Sequence, residues 1–137
     1  MELKPLRWLP VVVLTAAVLC LIMTESILAA RGTVEIAQPA HNRVLKQSAT
    51  PVEIRGTVVD DHFSYYRLEY SAGGRQWLPI GPGRYTRPVQ DGTLGMWDVS
   101  QVPPGRYLVR LDMVDTMGNH EQSTIEMTVV AEQTEQQ

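Results

Sequence analysis

Beyond about position 32, apolar and polar residues alternate with a period of two, and no long stretch follows helical spacing. TVEIAQP (33–39) puts Val34 and Ile36 on one face. VEIRGTVVD (52–60) sets Val52, Ile54, Gly56 and Val58 against Glu53, Arg55 and Thr57. YYRLEYS (65–71) sets Tyr66, Leu68 and Tyr70 against Arg67 and Glu69. QWLPI (76–80) is a short run whose Pro79 predicts an edge strand, because proline cannot donate to a ladder. LGMWDV (94–99) is another short run. RYLVRLDMVD (106–115) points Tyr107, Val109, Leu111 and Met113 inward and Arg110 and Asp112 outward. STIEMTVVA (123–131) points Ile125, Met127 and Val129 inward. The pattern thus predicts seven strands.

Turn signals separate these runs: PAHNR, DDH, SAGGR, GPGR, QDG, PPG and MGN. Short strands with one apolar face, joined by such turns, predict an all-β fold, a seven-stranded antiparallel β-sandwich over residues 31–131. EQTEQQ (132–137) is polar and is expected to fray as a tail.

The first thirty residues break the pattern. Between Leu9 and Met23 only Thr15 is polar, and Lys4 and Arg7 precede the run. A hydrophobic helix is expected here, and two readings of residues 1–30 stay open. One is a secretory signal peptide cut near Ala29 or Ala30, although Ile27 and Leu28 stand where a small residue is usual. The other is an uncleaved anchor spanning Leu9 to Ala30, with Thr24, Glu25 and Ser26 near its outer end. Lys4 and Arg7 would hold the N-terminus inside. Both readings export the rest of the chain. They predict a single-pass membrane protein with an extracytoplasmic domain, or a secreted one.

Composition narrows the chemistry. The chain of 137 residues carries a formal net charge of −3 at pH 7, and the part beyond residue 30 has a length that suits one domain. Mild acidity with scattered basic residues argues against nucleic acid as a partner. Cys20, the one cysteine, lies inside the apolar run, so the exported part has no disulfide and no thiolate metal site. Leu19 before Cys20 does not fit a lipidation signal.

Candidate chemistry is sparse. His41, His62 and His120 all fall in predicted loops, and no spacing supports a catalytic pairing, so no enzyme activity is expected. Asp60, Asp61 and Asp115 are too few to predict a calcium site, and no metal or cofactor is expected. Phe63, Tyr65, Trp77 and Tyr85 offer aromatic faces. GPGRYTRP (81–88) reads as an exposed loop with Tyr85 between Arg84 and Arg87. Aromatic and Arg side chains together suit a binding hot spot, so Arg84, Tyr85 and Arg87 are the candidate binding residues. Open edge strands offer a second route, strand addition.

The densest pattern, Leu94 to Asn119, reads as architecture. Pro103 and Pro104 restrict the backbone, Gly105 permits positive φ, and Tyr107 opens a strand. Gly118 and Asn119 tolerate the left-handed backbone of a tight reversal, and Trp97 fits a core plug. Trp77, Gly92, Leu94, Gly95, Trp97, Asp98, Pro103, Gly105, Tyr107, Asp115, Gly118 and Asn119 also carry a resemblance. They are similar to bacterial cell-surface immunoglobulin-like or fibronectin type III-like modules, over about residues 33–131. Such modules are appended to secreted peptidases and to penicillin-binding proteins. The resemblance implies an immunoglobulin/fibronectin-like sandwich, with Tyr107 pinning a corner through its hydroxyl. It also implies a binding or structural role at the cell envelope, through a protein or glycan partner. The alternative is an accessory polymer-binding subunit of an extracellular hydrolase or cell-wall synthase.

Overall fold

The computed structural model describes residues 32–132. The hydrophobic segment expected at 1–30, and all but the first residue of the expected tail, lie outside the described residues. Eight strands fill the described part: β1 (Thr33–Gln38), β2 (Arg43–Lys46), β3 (Val52–Val59), β4 (Phe63–Ser71), β5 (Leu78–Pro79), β6 (Val89–Trp97), β7 (Gly105–Asp115) and β8 (His120–Val130). No helix occurs among the described residues.

The strands form two sheets, a three-stranded one in the order β1-β3-β6 and a five-stranded one in the order β2-β8-β7-β4-β5. Alternation along each strand sends one face to the core. Ile54 and Val58 of β3 and Leu94 and Trp97 of β6 meet Tyr66 and Leu68 of β4, Val109 and Leu111 of β7, and Met127 and Val129 of β8 in one apolar cluster. The Tyr66 hydroxyl crosses this core and donates to the Leu94 carbonyl at 2.8 Å, joining the sheets. Burial, then the neighbouring Tyr85 phenol, pushes the Tyr66 hydroxyl pKa up to about 12, so it remains a donor.

The strand count is one higher than the pattern predicts. β2 follows the PAHNR turn signal, in a stretch to which the pattern assigns no element. It is four residues long, only Leu45 of it is buried, and it runs parallel to β8 with Leu45 opposite Val129, so the fold is not wholly antiparallel. β6 begins at Val89 rather than Leu94, taking in the QDG turn signal. One register shift against β3, between the Gly56–Gly92 and Val58–Val89 pairs, accommodates Gln90 and Asp91 there, and Asp91 takes a φ of 45°. Extra residues at such shifts bend a strand without ending it. β5 shrinks to Leu78 and Pro79 and lies, as Pro79 predicts, at a sheet edge.

Small residues are needed where the sheets approach closely. A Cβ on Gly95 would stand 2.7 Å from both Leu68 Cδ1 and the Tyr85 hydroxyl. The β7–β8 reversal uses Gly118 at φ 84°.

Candidate binding surface

The outer face of β4, β7 and β8 carries polar side chains in cross-strand register. Arg67, Asp112 and Gln122 stand opposite one another in one row, and Glu69, Arg110 and Thr124 in the next. Asp112 is fully buried although it points away from the core. Arg67 Nη2 donates to its Oδ2 at 2.6 Å, Gln122 Nε2 to its Oδ1 at 2.9 Å, and His120 Nδ1 to its Oδ1 at 2.9 Å. Burial pushes the Asp112 pKa up, but the donors Arg67, His120 and Gln122 together pull it below the usual carboxylate range. Arg110 donates through Nε to Glu69 at 3.2 Å and also pairs with it through Nη2. Arg106 pairs with Glu126. Every charged group in these rows therefore has an opposite partner.

Aromatic rings close the margin of this face. The Arg110 guanidinium lies 3.8 Å from the Trp77 ring centroid, and the Arg84 guanidinium 4.3 Å from that of Tyr65. Each contact joins residues distant in sequence and draws a ring onto a cation.

The edge beyond β4 differs. From Ile80 to Tyr85 the chain leaves regular strand but stays beside β4. The Ile80 amide donates to the Leu68 carbonyl at 2.8 Å, and Tyr85 and Tyr66 exchange backbone hydrogen bonds at 2.8 and 2.9 Å. Between Tyr70 and Gln90 the sequence holds Arg75, Arg84 and Arg87 and no carboxylate. Near the end of β4 a groove of about 520 Å³ opens, lined by Tyr70, Ser71, Leu78, Pro103 and Tyr107, with Arg75 and Gln76 also on its wall. Leu78 is 53 % exposed. The Ser71 hydroxyl shapes the adjoining loop by accepting from the Gly74 amide at 2.8 Å.

The three loop residues singled out from sequence are not equivalent. Arg84 is exposed and lies on Tyr65. Arg87 is exposed, with no hydrogen bond or ion pair among the described residues. Tyr85 instead turns inward. Its ring stacks on Tyr66 with centroids 4.7 Å apart and an interplanar angle of 4°, and its hydroxyl donates to the Ile80 carbonyl at 3.2 Å. The loop expected to display Tyr85 thus uses it as packing, because stacking on a core tyrosine removes the ring from water.

The remaining motif residues are spread over the molecule. Trp97 is buried against Tyr70 and Tyr107, at centroid distances of 5.1 and 6.4 Å. The Tyr107 hydroxyl donates to the Pro103 carbonyl at 2.6 Å. Gly105 begins β7 at φ 158°, close to extended. Asn119 donates its amide nitrogen Nδ2 to Asp115 Oδ2 at 2.8 Å, and its backbone N–H reaches Oδ1 at 2.8 Å. These bonds, the Asn119 side chain foremost, hold the Asp115 carboxyl below its ordinary range. His41 accepts from the Glu126 amide at 3.0 Å, on the far side of β8 from His62. Sequence reasoning missed the groove, which three separated segments build, and missed the buried setting of Asp112. Its opposition to Arg67 appears only once β4 and β7 pair.

No protein-family model matches the chain, and no curated protein sequence matches it significantly.

Proposed function

We propose that this protein is a non-catalytic immunoglobulin/fibronectin-like module, tethered to or exported across a membrane by its N-terminal segment, that makes protein contacts at the cell envelope. One observation carries the reading: an open, acid-free edge beside β4 with an apolar groove, next to a sheet face whose charges are already paired. Binding energy in protein contacts concentrates where apolar and Arg side chains are not already engaged. The eight-stranded arrangement, with β2 carrying the first part of the chain from one sheet to the other, is compatible with an immunoglobulin-like module. The apolar run from Leu9 to Met23 behind Lys4 and Arg7 supports membrane targeting.

Fractionation tests this. Cells are lysed, membranes are washed in alkaline carbonate, and the intact mass is read in both fractions. Full-length mass retained in the membrane supports a tethered module, and a mass beginning near residue 31 in the exported soluble fraction supports a released one. Full-length protein in the cytosol would overturn the reading.

A further inference from the structure

We propose that the groove at the end of β4 is the docking site for an extended acidic peptide of a partner protein. An apolar side chain of the peptide would lie on Tyr70 and Tyr107, and a flanking carboxylate would pair with Arg75. The proposal rests on the module reading above and gives its partner a chemistry. The groove, at about 520 Å³, is large enough for one or two side chains. Its walls are mostly apolar, and Leu78 stands exposed at its rim.

Charge selects the occupant. Arg75 is the one charged residue lining the groove, and it has no hydrogen bond or ion pair among the described residues. Arg55, Arg67, Arg106 and Arg110 all have carboxylate partners. No acidic residue lies between Tyr70 and Gln90 to supply one locally. Arg43, Arg84 and Arg87 also lack a carboxylate, but none of them lines this groove, where an incoming carboxylate would give Arg75 its partner. A guanidinium fork holds a carboxylate more firmly than a single-point cation would.

Shape selects a peptide over a sugar. Glycan binding favours a run of open aromatic faces, and outside the groove's own Tyr70 and Tyr107 one face of Trp77 is covered by Arg110 and one face of Tyr65 by Arg84. What stays open is a sheet edge: β5 has β4 on one side and no strand on the other among the described residues. An extended peptide can lie along such an edge and place alternate side chains in a groove.

The test is an amide chemical-shift titration of the full-length, ¹⁵N-labelled chain in detergent micelles. The probes are a capped Gly-Glu-Leu-Glu-Gly peptide, its Gln and Lys counterparts, and polygalacturonate as an anionic glycan. The proposal expects saturable shifts at Ala72, Gly73, Gln76, Leu78 and Tyr107 with the Glu peptide, and roughly tenfold weaker binding of the Gln peptide. Arg75→Glu should reverse the preference toward the Lys peptide, whereas Lys46→Glu, on β2 at the opposite edge of the five-stranded sheet, should leave the Glu peptide's affinity unchanged. Equal binding of the Glu and Gln peptides, shifts centred on Tyr65 and Arg84, or no saturable shift would overturn it. So would polygalacturonate moving the same amides in an Arg75-dependent way. None of these results alters the fractionation outcome, so the groove can fail while the tethered module stands.

Discussion

The outer face of β4, β7 and β8 and the edge beside β4 both carry arginines, and use them to opposite ends. On the face, Asp112 gathers Arg67, His120 and Gln122, and Glu69 takes Arg110. Along the edge, Arg75 and Arg87 have no partner among the described residues, and Leu78 faces water. The face is full of charge and has little left to offer. A buried network of this kind chiefly fixes register, although Arg67 Nε within it is buried without a partner among the described residues. The edge has fewer charges, but they are available. Charged residues thus mark a binding surface only after their pairing has been followed.

The largest expected effect breaks the closed side. Asp112→Ala should cost about 3 kcal/mol, toward the low end for a broken buried pair because Arg67 keeps contact with water. Denaturant unfolding measures it. A cycle with Arg67→Ala should be strongly non-additive. The pH dependence has a defined sign. The folded pKa of Asp112 is lowered, so its contribution is fully present above the unfolded value near 3.9. It is lost as pH falls from there through the folded value. The gap between wild type and Asp112→Asn should therefore hold from neutrality to about pH 4 and narrow in stronger acid.

Next comes the boundary between the regions. Tyr85→Ala should cost about 2 kcal/mol, since a half-buried stacked ring is lost, while Arg84→Ala and Arg87→Ala should change melting little. Equal effects at all three would contradict the inward packing of Tyr85. Tyr107→Phe should cost about 1 kcal/mol, the scale of one hydrogen bond, and an unchanged melting temperature would show that the bond to Pro103 adds nothing. Smallest of all, Arg75→Glu and Leu78→Ser should each stay within about 0.5 kcal/mol of wild type. A larger loss at either would make the edge structural.

The sequence made the long strands legible because each has one clearly apolar face. Val52 to Val58 and Tyr107 to Met113 show it by simple alternation. β2 escaped because Arg43–Lys46 has one inward residue, and its parallel partner lies at the far end of the chain. The start of β6 escaped because Gln90, Asp91 and Gly92 have the chemistry of a turn and are kept in the sheet by the pairing of Val89 and Gly92 with β3. At the candidate site, local reading found the arginines of 81–88 and misplaced Tyr85, whose position depends on Tyr66. The groove was invisible, because Tyr70, Leu78 and Pro103 meet only when β4, β5 and the segment before β7 come together.

The claim that the edge binds and the face does not can be tested in the living cell. A photoreactive amino acid is placed at Leu78 in one strain and at Thr124, on the outer face of β8, in another. After irradiation, adducts of the full-length protein are compared by mass. The account predicts a discrete protein adduct from position 78, lost on Arg75→Glu, and none from position 124. The same adduct from both positions, or an adduct from position 124 alone, would contradict it.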